Sequence, residues 1–349
     1  MKHSGLATVA QLHEFDEIVD VRTPSEFAED HIPGAINCPV LDDAERVRVG
    51  TLYQQSPFEA KKIGAALIAR NIAHHLEDKW LDKPKAWHPL IYCWRGGQRS
   101  GAMTHILRQI CFAAERLGGG YKSYRHHVRE QLQTLPQKIS FRVLCGLTGS
   151  GKSRLLATLQ QAGAQVLDLE EIARHRGSVL GDIPDEAQPA QKGFDSQVLS
   201  KLESFNPALP VYVESESKRI GQLRVPDELI AAMWFSPCLR LETATELRVG
   251  LLREDYTHFL HNPALLHQQL ERLRGMYSNE LLAHWHALCE ASAWDEFIAE
   301  LLEQHYDPAY RKSIQQNYLN YAQAPHLRLD TLDVQGFAAL VTEVLAIPK

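Results

Sequence analysis

At 349 residues the chain is long enough for two domains, each with its own core. Its 44% hydrophobic and 23% charged residues exclude a largely disordered protein. A formal charge of −6 excludes a general nucleic-acid coat but leaves room for a local basic face. The opening residues MKHSGLATVAQLHEFDE lack the apolar core of a secretion signal. No later stretch supplies the ~20 apolar residues of a membrane span, so a cytoplasmic location is expected.

In chain order, Glu17 to Val21 reads as a strand, Pro24 to Glu29 as a short helix and Ala35 to Pro39 as a second strand. Ile63, Leu67, Ile68 and Ile72 recur at helical spacing within a helix over Ala60 to Leu76. A strand at Pro89 to Tyr92 leads through a loop to a helix from Ser100, its expected N-cap, to Cys111. After the turn Gly118-Gly119-Gly120, a helix is expected over Lys122 to Leu135. Residues 136–140 read as a linker, because a proline interrupts a polar stretch between two periodic regions.

Strands follow at Phe141 to Cys145, Gln165 to Leu169, Pro210 to Glu214 and Leu239 to Glu242. Thr245 to Gln304 is mostly helical, and a helix at Tyr310 to Tyr321, a strand at His326 to Leu329 and a closing helix end the chain. Strands alternating with helices imply an α/β protein with parallel sheets. The expected division is a first domain over 1–135 with a long insertion at 42–87, and a second over 141–349 whose C-terminal part is helical.

Gly146-Leu147-Thr148-Gly149-Ser150-Gly151-Lys152-Ser153 matches G-x-x-x-x-G-K-[ST] between a strand and a helix, the context of a P-loop. Glycines let successive N–H groups converge on phosphate oxygens, and the following helix N-terminus adds partial positive charge. The candidate phosphate ligands are Gly146, Thr148, Gly149, Ser150, Gly151, Lys152 and Ser153, with Ser153 placed to reach a Mg²⁺ ion. Glu214 and Asp168, at strand ends, are candidate metal-linked carboxylates. The motif reads phosphates and does not identify the base.

Of the six cysteines at 38, 93, 111, 145, 238 and 289, none form C-x-x-C, so a zinc knuckle and a thioredoxin motif are both excluded. Five are expected to be buried, inert thiols. Cys93 differs: in Cys93-Trp94-Arg95-Gly96-Gly97-Gln98-Arg99-Ser100 it has loop N–H groups, a helix N-terminus and the guanidiniums of Arg95 and Arg99 as expected stabilisers of a thiolate. The histidines His74, His75, His126, His127, His258, His261 and His267 lack acidic or cysteine partners in the sequence, so no dedicated metal site is expected.

Arg95 to Arg129 carries seven basic residues against one acid. Arg116, Lys122, Arg125 and Arg129 here, with Arg176 and Arg219 beyond, are candidate contacts to a nucleic-acid backbone. Trp94, Tyr121 and Tyr124 are candidates for stacking on an unpaired base, with core packing the other role for each.

Asp20-Val21-Arg22, Glu26 and His31-Ile32-Pro33-Gly34-Ala35-Ile36-Asn37, with Cys93, Arg99 and Ser100, resemble the rhodanese homology domain over residues 10 to 133. With the insertion Glu45 to Tyr53, the P-loop, His175-Arg176-Gly177-Ser178 and Val213 to Ser217, the whole chain resembles the bacterial tRNA 2-selenouridine synthase family. That resemblance implies a rhodanese-like domain followed by a P-loop NTPase-like domain. It implies geranylation of wobble 2-thiouridine from geranyl diphosphate, then replacement of the S-geranyl group by selenium from selenophosphate. Cys93 would carry the selenium as S-selanylcysteine, and Mg²⁺ would assist at the P-loop. The expected partners are tRNA and an enzyme that supplies selenophosphate. Two other readings of the same motifs are an ATP-dependent tRNA sulfurtransferase and a non-enzymatic P-loop switch with a rhodanese docking domain. Against the former, the S-G-G-x-D-S loop common in tRNA thiolases is absent.

Overall fold

The computed structural model describes residues 5–348. The chain forms two compact units, Met1–Gln131 with Ala190–Ser200, and Leu132–Pro189 with Lys201–Lys349. None of the described helices is long and apolar enough to cross a membrane.

In the first unit, β1 (Leu6–Ala7), β2 (Glu17–Asp20), β3 (Ile36–Asn37), β4 (Pro89–Tyr92) and β5 (Glu115–Leu117) form a parallel sheet in the order β1-β5-β4-β2-β3. The central strand β4 is buried at all four residues, as its unbroken apolar sequence requires of a sheet covered on both faces. The helix α1 (Pro24–Glu29) starts where Thr23 and Glu26 form a capping box and Pro24 occupies the first turn. The insertion is a helical hairpin, α2 (Asp43–Gln55) and α3 (Pro57–His75). Helix α2 has no apolar stripe, and Val47 and Tyr53 stand exposed on it, so periodicity did not reveal it. The insertion nevertheless completes the core: Ile72, Trp80 and Trp87 pack with Val19, Ile91 and Met103.

Two further helices, α4 (Gln98–Gln109) and α5 (Gly120–Thr134), close this unit. Gly97, not Ser100, caps α4. Ser100 is instead fully buried in the first turn, where its hydroxyl meets the Cys93 sulfur. Cys111, expected to be buried, is exposed in a left-handed turn after α4 (φ 74).

The second unit has a parallel sheet of β6 (Phe141–Cys145), β7 (Gln165–Leu167), β8 (Val211–Glu214), β11 (Cys238–Thr243) and β12 (His326–Leu329) in the order β12-β11-β6-β8-β7. A two-stranded hairpin, β9 (Arg219–Ile220) with β10 (Leu223–Arg224), lies outside it. After β6 come α6 (Lys152–Gln161), α7 (Leu169–Ala173) and α8 (Gln191–Glu203). Expected in the second domain, α8 through Ser200 belongs to the first unit, because Arg125 of α5 bonds the Lys192 carbonyl, Ser196 and Asp195.

The helices α9 (Asp227–Phe235), α10 (Thr245–Asp255), α11 (Thr257–His261), α12 (Pro263–Leu270), α13 (Asn279–Glu290), α14 (Trp294–Leu301), α15 (Asp307–Asn317) and α16 (Val334–Ala346) complete the unit. Leu155, Leu156 and Leu159 of α6 join Phe337, Leu340 and Val344 of α16 in the sheet's core. A separate apolar core, around Phe259, Leu270, Trp285 and Phe297, organises the helices after α10.

Candidate active site

Both chemically suggestive loops leave the C-terminal end of the central strand of a five-stranded parallel sheet: Cys93 follows β4, and the glycine loop follows β6. Ligands of open α/β sheets gather at that edge, where strands end and helix N-termini begin.

In the first unit Cys93 is only 3% exposed. Its Sγ lies 3.2 Å from Ser100 Oγ, and the Ser100 hydroxyl is within 3.3 Å of the Gly97 carbonyl. The sulfur is therefore buried against the first turn of α4, at the start of the loop whose rim is Trp94 to Gly97. The glycine turn locks that rim in place, since Tyr121 N–H donates to the Cys93 carbonyl at 2.9 Å and Lys122 N–H to that of Trp94 at 3.0 Å. Gly120 (φ +60) lies against the loop so closely that a Cβ there would overlap the Cys93 carbonyl and the Gly96 nitrogen. Gly120→Ala should therefore destabilise the first unit by at least about 2 kcal/mol, measured as a lowered denaturation midpoint.

Arg99 does not face the sulfur. Its guanidinium grips Glu26 at 2.6 and 3.2 Å. Burial acts to raise the Glu26 carboxyl, but Arg99 holds it below the usual carboxylate range. Arg22 is likewise bound to Asp20 in the core, at 2.6 Å. The loop arginine and the upstream glutamate thus meet as an ion pair that ties α1 to α4, while Arg95 is exposed on the rim.

Trp94 is 37% exposed and leans on Tyr121 with ring centroids 5.3 Å apart. Tyr121 and Tyr124 are buried, and Tyr121 donates to Asp30 at 2.7 Å, so neither ring is presented for stacking. Arg125, a candidate tRNA contact, is spent instead on Ser196, Asp195 and Asp30, because buried acids demand a cation. Lys122 and Arg129 are exposed, and Arg116 is half-buried on β5.

In the second unit the glycine loop is held from outside by its carbonyls. Arg248 Nε donates to Thr148 O at 2.9 Å while its guanidinium forks onto Asp307, and Thr243 Oγ1 donates to Ser150 O at 2.8 Å. Gly151 takes a left-handed φ of +91, and a Cβ there would lie 3.2 Å from the side chains of Leu329 and Phe337. Thr148 to Ser153 line a cavity of about 700 Å³, with Asp168, Glu170, Glu214, Glu216 and His175 on its other walls. Gly146 sits behind, its N–H 3.5 Å from the Tyr310 hydroxyl, which also bonds Ser215. Arg176 faces the same cavity, bonded to the Asp255 carbonyl and stacked 4.7 Å over Tyr256. Arg219 is exposed on β9.

Lys152 reaches the Gly146 carbonyl at 2.9 Å and lies 3.9 Å from Glu214. Burial alone would lower its pKa, yet Tyr310, Glu214, Glu170 and Glu216 together raise it, so the ammonium stays charged. Glu170, Glu214 and Glu216 bring one carboxylate oxygen each within 4.8 Å of one another. Glu214 Oε1 and Ser150 Oγ are buried with no partner among the described residues. Three carboxylates with an unpaired oxygen form a hard-oxygen set that fits a divalent cation such as Mg²⁺.

Of the expected carboxylates, Glu214 belongs to this set. Asp168 borders the cavity but caps α7, accepting from Glu171 N–H at 2.8 Å, and burial with Glu214 pushes its carboxyl up to about 6. Glu170 and Glu216 were missed. The alternation Glu214-Ser215-Glu216 past a strand end was the available signal for the latter.

Burial and Glu214 push Glu216 up to about 8, with Lys152 opposing. The folded protein thus keeps this proton where the unfolded chain has released it. Its contribution to stability is full below the ordinary glutamate range and is lost as pH rises toward 8. In metal-free buffer the melting midpoint should fall between pH 5 and pH 8, and Glu216→Gln should flatten that slope. An unchanged slope in the variant would assign the pH dependence elsewhere.

Residues 6–127 match the rhodanese-like domain family, and residues 139–289 match the tRNA 2-selenouridine synthase AAA domain. The chain is 35% identical over 247 residues to the tRNA 2-selenouridine synthase of Nitrosomonas europaea, covering 68% of this chain and 63% of that protein. It is 36% identical over 244 residues to that of Marinobacter nauticus, covering 68% and 65%. These two alignments span less than two thirds of the relatives' own length. A third, to the tRNA 2-selenouridine synthase of a Sulfurovum species, is 31% identical over 336 residues and covers 86% of this chain and 89% of the relative. On the strength of this near-full-length match and the two domain matches, the chain belongs to the tRNA 2-selenouridine synthase family.

Proposed function

We propose that this chain is a transferase that converts wobble 2-thiouridine in tRNA to 2-selenouridine through an S-geranyl intermediate, using geranyl diphosphate and selenophosphate. One observation carries the reading: a cysteine loop and a phosphate nest, each at the end of a central strand, occur together in one chain of this family. The chemistry needs both. A thiocarbonyl sulfur leaves a pyrimidine poorly, whereas an alkylated sulfur departs as a thiol. Alkylation breaks an allylic C–O bond, and the departing diphosphate needs cations and N–H donors to receive its charge.

Lys152 and the nest of Thr148 to Ser153 provide those donors. Mg²⁺ held by Glu170, Glu214 and Glu216 would further neutralise the leaving group. Cys93 is the group for selenium, as S-selanylcysteine; a disulfide-class oxidant would accept the two electrons released when its S–Se bond forms, and a thiol would return them when selenium passes to the base. Exposed Lys122, Arg129 and Arg219 offer phosphate contacts, and Trp94 a stacking face beside the cysteine loop. The reaction belongs to the cytoplasm, with an enzyme that makes selenophosphate supplying the donor.

The test is a reconstitution with thiolated tRNA, the two co-substrates and the purified chain, read by mass spectrometry of tRNA nucleosides. S-geranyl-2-thiouridine should rise first and 2-selenouridine follow. 2-Thiouridine formed from unmodified tRNA with ATP and a sulfur donor, and no geranylated species from thiolated tRNA, would favour the ATP-dependent sulfurtransferase and overturn this reading.

A further inference from the structure

A second cavity in the same unit adjoins the phosphate cavity and is opposite in character. It is a narrow slot walled by Phe259, Leu260, Leu266, Phe297, Ile298 and Leu301, from α11, α12 and α14. Thr148 of the glycine loop, with Leu252, Tyr256 and Tyr306, borders both cavities. The two therefore share a wall at the loop itself. Leu252 presses directly on that loop, since a Cβ built at Gly149 would lie 2.9 Å from its side chain.

Polar groups near the slot are turned elsewhere. Arg253 points onto Asp295 at 2.8 Å, and Ser178 Oγ and Tyr256 OH lie 3.5 Å from each other. The slot thus presents mostly carbon beside a site built for anions. Water there finds few partners, so an apolar group gains affinity by replacing it.

We propose that this slot binds the hydrocarbon chain of an amphiphilic diphosphate whose phosphates lie in the nest, and that Leu260 and Ile298 set the chain length accepted. The proposal rests on the reading that the nest holds a diphosphate, and it assigns the residues that select what that diphosphate carries. Both residues are only partly buried, so they line the slot without being central to the core.

The test is calorimetric titration of the full chain with inorganic pyrophosphate, dimethylallyl diphosphate and geranyl diphosphate. Each methylene buried should tighten binding by up to about fourfold. Affinity should therefore rise in that order, with geranyl diphosphate at least about tenfold tighter than pyrophosphate. Ile298→Trp should fill the slot and remove most of that preference, while pyrophosphate binding in the same experiment reports an intact nest. If Ile298→Trp loses pyrophosphate binding as well, the milder Leu260→Phe replaces it in the comparison. Equal affinity for pyrophosphate and geranyl diphosphate in the wild type overturns the slot and leaves the nest reading standing. So does an unchanged preference in a variant that still binds pyrophosphate. Failure of all three compounds to bind removes the nest reading, and this proposal with it.

Discussion

Lys152→Ala should lower S-geranyl formation on tRNA at least about a hundredfold, the cost of removing one donor from a site of developing negative charge. The effect should exceed that of a solvent-exposed lysine, because Lys152 is the cation facing Glu170, Glu214 and Glu216. Without it, an incoming diphosphate meets a carboxylate cluster whose nearest counter-charge has gone. The second half-reaction separates this effect from unfolding. Given tRNA already S-geranylated by chemical means, Lys152→Ala should install selenium at close to the wild-type rate. Mass spectrometry of the nucleosides measures both steps, and an equal loss in both would contradict the assignment of the nest to alkylation alone.

Cys93→Ala should give the opposite pattern: S-geranyl-2-thiouridine forms and accumulates, while 2-selenouridine falls more than about a thousandfold. Cys93 packs in the core with Val19, Ile91 and Met103, so truncation also leaves a small void. Cys93→Ser controls for this. A serine hydroxyl can still bond Ser100, and it cannot carry selenium as a selanyl group. Retained geranylation in both variants, with selenium transfer absent from both, would assign the chemistry to the sulfur. Selenium transfer surviving in Cys93→Ser would instead make this cysteine a packing residue.

Much of the fold was legible because its signals are local. The strands at Pro89–Tyr92, Phe141–Cys145 and His326–Leu329 and the helix Pro24–Glu29 lie where apolar runs and a capping sequence place them. Helix α2 was not legible, since it buries no stripe of its own and is held by its partner α3. The short strands β1, at the sheet's edge, and β5, its neighbour, were missed for a similar reason. Two or three residues carry no period, and only pairing defines them.

The amino-acid order by itself determined where the two candidate loops lie, because a P-loop motif and a loop cysteine depend on glycines, one lysine and one thiol at fixed short spacing. Only the tertiary structure decided which charges remain free. Arg99 and Arg125, alike in sequence to Arg95 and Arg129, are consumed by Glu26 and by Asp30 with Asp195. Glu170 and Glu216, separated by a strand and a long helix, meet Glu214 at one point. An ion pair or a ligand set between distant residues depends on distances that the chain acquires only when its strands are placed side by side.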